Sequence, residues 1–142
     1  MLSNPVVVHF KDGSLKKGYL KKFAFYRDNF TFLEVDKKNK NRTKGEKDFD
    51  IADIKAVFFV KDLDGNKDYN ERKDADRSGF GKRIEVTFSD NESIVGYTPD
   101  YSKKEKGFIL YPADTESNNY IIGVFHSSIT DIKLLEEEMA TA

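Results

Sequence analysis

Few side chains in this sequence have the type and spacing that catalysis demands. There are two histidines, His9 and His126, and no cysteine, so disulfides, thiolate nucleophiles and thiolate metal sites are excluded. His9 falls on the outward side of an alternating run and His126 at the end of another, which predicts surface residues and not general bases. Asp62, Asp64, Asn66 and Asp68 alternate oxygen ligands as a calcium loop does. Such a loop needs Gly at its sixth position and Glu at its twelfth. Counted from Asp62, those places hold Lys67 and Lys73, whose ammonium groups oppose a divalent cation. No glycine-rich phosphate loop opens a helix, so no enzymatic activity, cofactor or metal is expected. Two clusters remain. Asp114, Asn118 and Asn119, just after Pro112, form a polar turn whose side chains either bond local backbone amides or make a small recognition rim. Lys16, Lys17, Lys21, Lys22 and Arg27 with Tyr26 combine cations and a stacking ring, the combination that single-stranded nucleic acid needs.

The chain that positions these clusters is duplicated. Residues 6–57 overlay residues 84–135 at a constant offset of 78 without a gap, and 13 of the 52 aligned positions are identical. Random pairing would give about three, and an internal repeat of this kind sets the fold before any local reading does. The identities include Phe10 with Phe88, Asp12 with Asp90, Gly18-Tyr19 with Gly96-Tyr97, Phe30 with Phe108, Gly45 with Gly123, and Ile54-Lys55 with Ile132-Lys133.

Each copy reads as five short strands. Val6, Val8 and Phe10 alternate with Val7, His9 and Lys11, and the second copy repeats the pattern with Ile84, Val86 and Phe88. Asp12-Gly13 and Asp90-Asn91 then tolerate the positive φ of a tight hairpin turn. Gly18 and Gly96 inside the returning strand mark a bend, the device that curls a short sheet toward closure. A third strand follows from Phe30 and from Phe108. The fourth strands diverge: residues 120–125 are apolar, whereas residues 42–49 are polar and predict an exposed edge. A short turn and a last strand close each copy. This pattern predicts an all-β fold with residues 1–60 as one small barrel, 61–83 as a polar linker, and 84–142 as a second barrel with an acidic tail.

A single copy of such length buries too little surface to be stable alone, so the two are expected to pack as a pseudo-symmetric pair and half-chains to fold poorly. Their charges differ. Residues 1–60 hold 13 Lys and Arg against 8 Asp and Glu, residues 61–83 hold 7 against 6, and residues 84–142 hold 4 against 11. The units, at +5 and −7, can attract one another within a chain or head to tail between chains. No signal peptide and no membrane span is evident, which makes the cytoplasm the expected compartment.

The strand order and the segments VVVHFKDGSLKKG at residues 6–18 and VFHSSITDI at residues 124–132 resemble the Sm-like small barrel, with the second segment similar to the closing signature of bacterial Sm-family RNA chaperones. The resemblance implies two tandem Sm-like five-stranded barrels. The Lys-His pair with which those chaperones hold uridine is replaced by His126-Ser127, and in the first copy by Asp48-Phe49. Two further segments, KAVFFVKDLDGN at 55–66 and GFILYPADTESNN at 107–119, resemble a bacterial domain family of unknown function associated with PilZ-type signalling domains, which implies a regulatory role. A PilZ-type cyclic-dinucleotide site also needs two arginines four residues apart before an Asn-x-Ser-x-x-Gly turn. Asn91, Ser93 and Gly96 fit the turn, but Arg72 and Arg77 are five apart. The function expected is thus a non-enzymatic binding or regulatory module for a protein partner, with homo-oligomers possible. RNA or DNA binding through the basic first copy and cyclic-dinucleotide sensing are the alternatives.

Overall fold

The computed structural model describes residues 5–36, 38, 39, 43–64, 81–114 and 116–135. The first repeat holds strands β1 (Pro5–Phe10), β2 (Leu15–Lys22), β3 (Asn29–Val35), β4 (Thr43–Asp50) and β5 (Ile54–Val60). The second holds β6 (Lys82–Phe88), β7 (Ser93–Thr98), β8 (Gly107–Pro112), β9 (Asn119–Phe125) and β10 (Ile129–Leu134). A single 3₁₀ turn precedes the last strand of each repeat, Ile51–Asp53 and His126–Ser128.

The two hairpins that open the repeats are built alike. In the first, the Gly13 N–H donates to the Phe10 carbonyl at 3.0 Å and the Phe10 N–H to the Ser14 carbonyl at 2.9 Å; in the second, Asn91 and Phe88 with Glu92 make the same pair of bonds at 2.8 Å each. Gly13 at φ +93° and Asn91 at φ +73° take the left-handed position of a three-residue hairpin loop, where those two residue types cost least. Gly18 and Gly96 hold the bend by close approach: a Cβ there would stand 2.0 Å from the Leu33 carbonyl oxygen and 2.5 Å from that of Tyr111.

All ten strands form one antiparallel sheet in the order β10-β6-β7-β8-β9-β5-β1-β2-β3-β4. This corrects the expectation of two closed barrels. Closing the first repeat would require its last strand to pair with β4, but β5 uses its outer edge on β9, with Val57 opposite Gly123 and Phe58 opposite Ile122. The strand order 5-1-2-3-4 recurs intact in each half, so the repeats are joined side by side and do not exchange strands. β4 is an exposed end of the sheet, as its polar sequence predicts, and β10 is the other end.

β1 and β5 lie in the middle of the sheet and carry apolar residues on both faces. Val6, Val8 and Val57 pack with Phe30, Phe32, Ile54 and, from the second repeat, Phe125. Val7, Ala56, Phe58 and Val60 pack on the other face against Ile84, Val86, Phe88, Leu110 and Ile122 of the second repeat. Two-sided burial explains the apolar run from Ala56 to Val60 in β5. It also corrects the outward position expected of His9, which is half-buried with its ring 4.5 Å from that of Phe58. His126 is likewise half-buried, 5.3 Å from the Phe108 ring and with Nε2 3.0 Å from the Ser102 carbonyl oxygen. The linker expected over residues 61–83 is narrower than proposed at both ends, since Leu63 is buried in the core and Lys82 and Arg83 belong to β6. Its middle, with Asn66, Asp68, Arg72 and Arg77, lies outside the described residues, as does the acidic tail.

Candidate functional site

The seam between the repeats is covered differently on its two faces. On one, the β2–β3 loop lays Phe23 and Phe25 across it, with Phe23 edge-on to Phe25, Phe59 and Phe125 at 5.1, 6.0 and 6.1 Å. That loop is pinned to the second repeat by the Lys106 N–H donating to the Phe25 carbonyl at 3.0 Å and by an ion pair of Lys106 with Asp28 at 2.9 Å. On the other face lies an open cleft of about 380 Å³. Val7, Phe58, Val60 and Ile122 form its floor, and Ile94 and Val95 of β7 its far wall. Lys17, Glu92, Ser93, Asn118 and Asn119 stand around it with hydrogen-bonding groups. A concave apolar surface with a few polar groups at its rim is the usual form of a binding site.

One end of the cleft is electrostatically set. Lys55, buried in β5, donates to Asp90 at 2.7 Å and to Glu92, both in the hairpin of the second repeat, and its ammonium lies 5.0 Å from the Phe88 ring centre. Burial works against its charge, but the hydrogen bonds to the two carboxylates outweigh it and raise its pKa above the ordinary lysine value. The bond to Lys55 holds the Asp90 carboxyl below the usual range, helped by the Glu92 backbone N–H. His9, beside them on the cleft wall, has its pKa lowered first by burial and then by the Lys55 charge, with Glu92 and Asp90 in partial opposition. The imidazole is therefore neutral at pH 7 and able both to donate and to accept. Behind Lys55, the Ser128 hydroxyl is shared between the carbonyls of Lys55 at 2.7 Å and Phe125 at 2.9 Å, which ties the second repeat's 3₁₀ turn to β5.

Of the polar turn singled out from sequence, Asn118 and Asn119 reach the cleft and Asp114 does not. Asp114 is buried, and its carboxylate accepts the Glu116 N–H at 2.9 Å. Asn118 binds the segment just after β5 through both amide atoms: its Oδ1 accepts the Asp62 N–H at 3.0 Å and its Nδ2 donates to the Asp62 carbonyl at 2.9 Å. The Asn119 N–H donates to Ser117 Oγ at 3.0 Å. The turn thus fixes one wall of the cleft.

The basic residues of the first repeat are dispersed. Lys16 pairs with Glu34 at 3.8 Å and Lys21 with Glu46 at 2.5 Å, Lys17 lines the cleft, and Lys22 lies at the end of β2. Tyr26 is 69% exposed, and Arg27 is half-buried. His9, Lys55 and Glu92 were missed in the sequence. The available signal was Lys55, a charge inside an otherwise apolar strand and identical in both copies, since a buried lysine requires a partner.

Among the described residues, no helix is long and apolar enough to cross a membrane, and no group of three or more His, Asp or Glu side chains converges as metal ligands do. The fold and the cleft define an internally duplicated all-β protein whose halves meet in one open sheet. The chain belongs to a family of unknown function (DUF6982), whose model matches residues 2–136. No curated protein and no solved structure matches it.

Proposed function

We propose that this protein is a cytoplasmic, non-enzymatic binding or regulatory module that recognises a protein partner in the cleft between its repeats. The observation that carries the reading is the apolar floor of Val7, Phe58, Val60 and Ile122 enclosed by Lys17, Ser93, Glu92 and Asn119. Such a surface suits an apolar side chain of a peptide whose backbone finds hydrogen-bonding groups around it. In this reading each repeat is an Sm-like unit opened at its fourth strand, and the PilZ association noted from the sequence supplies the regulatory setting. The pairing of Lys16 and Lys21 with Glu34 and Glu46 favours a protein over RNA or DNA, because it offsets charge that a phosphate backbone would otherwise meet.

Panning a displayed random-peptide library against the full chain tests the proposal. Peptides with a shared apolar anchor should be enriched, and the half-buried Ile94→Lys variant, still folded by its cooperative thermal transition, should bind them at least about tenfold more weakly. Peptides that bind both proteins equally would refute the cleft as the site. Binding only of nucleic acid, weakening steeply with salt and with neutralisation of Lys16, Lys17, Lys21 and Lys22, would transfer the function to the basic first repeat. A thermal shift with a cyclic dinucleotide, lost in Ser93→Ala, would establish the third reading.

A further inference from the structure

The two ends of the sheet carry second copies of the contact that joins its halves. At the seam, Lys55 of the first repeat reaches Asp90 of the second and lies over the Phe88 ring. At the repeat offset of 78, Lys55, Asp90 and Phe88 correspond to Lys133, Asp12 and Phe10, and all three positions are identical between the copies. Lys133 is exposed on β10, one terminal strand of the sheet, and Asp12 is exposed in the β1–β2 hairpin of the half that ends in β4. Among the described residues Lys133 meets no carboxylate, and Asp12 accepts only from the Ser14 N–H and hydroxyl, at 2.8 and 2.6 Å. The seam contact is therefore filled once within the chain and present in two unfilled halves at its opposite ends.

The seam is also directional, because the last strand of one repeat pairs with the fourth strand of the other. A contact of that kind does not use the same surface twice, so repeating it between chains closes a ring or continues as a filament. We propose that copies of this chain associate head to tail, β10 of one alongside β4 of the next, with Lys133 reaching Asp12 of the next copy above its Phe10 ring. Transferring the seam register, in which Ala56 faces Val124, sets Leu134 against Glu46. Pairing would also cover Leu134, a large apolar side chain 41% exposed.

The free ends differ from the seam in ways that weaken the contact: Ser14 stands where the seam has Glu92, and Gly45 takes φ +116° where β4 shifts register against β3. Where β9 presents Ile121, Ile122 and Val124, β4 presents Thr43, Lys44 and Glu46. Charged residues on an edge strand exclude indiscriminate pairing, leaving an association that depends on matched charges, and hence on salt. This inference is independent of what the cleft binds.

Sedimentation velocity over a range of protein concentrations tests it. The wild-type chain should form assemblies at low salt that dissociate in about 0.5 M salt, where charges are screened within a few ångströms. Asp12→Lys and Lys133→Glu should each weaken self-association by about tenfold or more in chains that still unfold cooperatively. An equimolar mixture of the two variants should assemble again, since each supplies the end that the other has reversed. A wild-type chain that stays monomeric throughout, or one whose association survives both substitutions, would overturn the proposal.

Discussion

β9 and β4 occupy the same place in their repeats and share a glycine, yet β9 is largely buried and β4 almost wholly exposed. They differ locally at that glycine, where Gly45 takes φ +116° as β4 shifts register against β3. The difference in burial follows the neighbour: β9 lies against β5, whereas β4 has β3 on one side only. The side chains follow, with Ile122, Val124 and Phe125 joining the cores in one strand and Lys44, Glu46 and Lys47 facing outward in the other. Among these residues, Phe125 is fully buried inside the first repeat's core. A duplicated unit therefore diverges where its copies stop having the same surroundings, and stays alike in hairpin and bend, where the backbone imposes the same demand twice.

The largest test of that contrast is Phe125→Ala against Phe49→Ala. Loss of the buried ring should destabilise by about 3–5 kcal/mol, because the cavity opens between both repeats. The half-buried Phe49 ring on β4 should cost about 1–2 kcal/mol, since it is only partly removed from water. Urea unfolding measures both, and equal costs would dissolve the distinction between seam and edge.

Lys55→Ala against Lys133→Ala sharpens it further. The first leaves Asp90 and Glu92 facing each other without their cation and should cost about 1–2 kcal/mol, a value between those of buried and exposed pairs. The second, at a free end, should change monomer stability by less than about 0.5 kcal/mol. The smallest effect is one of pH. His9 has its folded pKa below the ordinary 6.5, so the unfolded chain binds more protons near and below that value. Stability should then be fully present above pH 6.5 and decline as pH falls below it, and His9→Gln should flatten that slope in melting temperatures taken between pH 7 and 5. A slope unchanged by the substitution would assign it to other groups.

Much of the local structure was legible because it is written in short-range rules. Alternation located β1 and β6, Asp12-Gly13 and Asp90-Asn91 located the hairpins, and the polar run before Ile51 located the exposed edge. The joining of the halves was not legible in this way. Whether β5 pairs with β4 or with β9 is decided by residues far apart in sequence, and both choices satisfy the same local pattern. The run from Ala56 to Val60 did carry a hint, since a strand apolar at every position is buried on both sides and a small barrel buries only its inner one. The candidate site was half legible. Asn118 and Asn119 were marked as polar turn residues, but their place on the cleft follows from the seam, as do the roles of His9 and Lys55.

The fully buried Phe125 has one more consequence, and it concerns time. A ribosome releases chain at about 5–20 residues per second, so Val6, Val8 and Phe30 emerge seconds before the ring that completes their core. Until then β5 exposes the apolar edge that β9 will cover. The nascent first repeat therefore waits, open and adhesive, for its younger copy, and a stall in translation between them is the moment at which this protein is most exposed to aggregation.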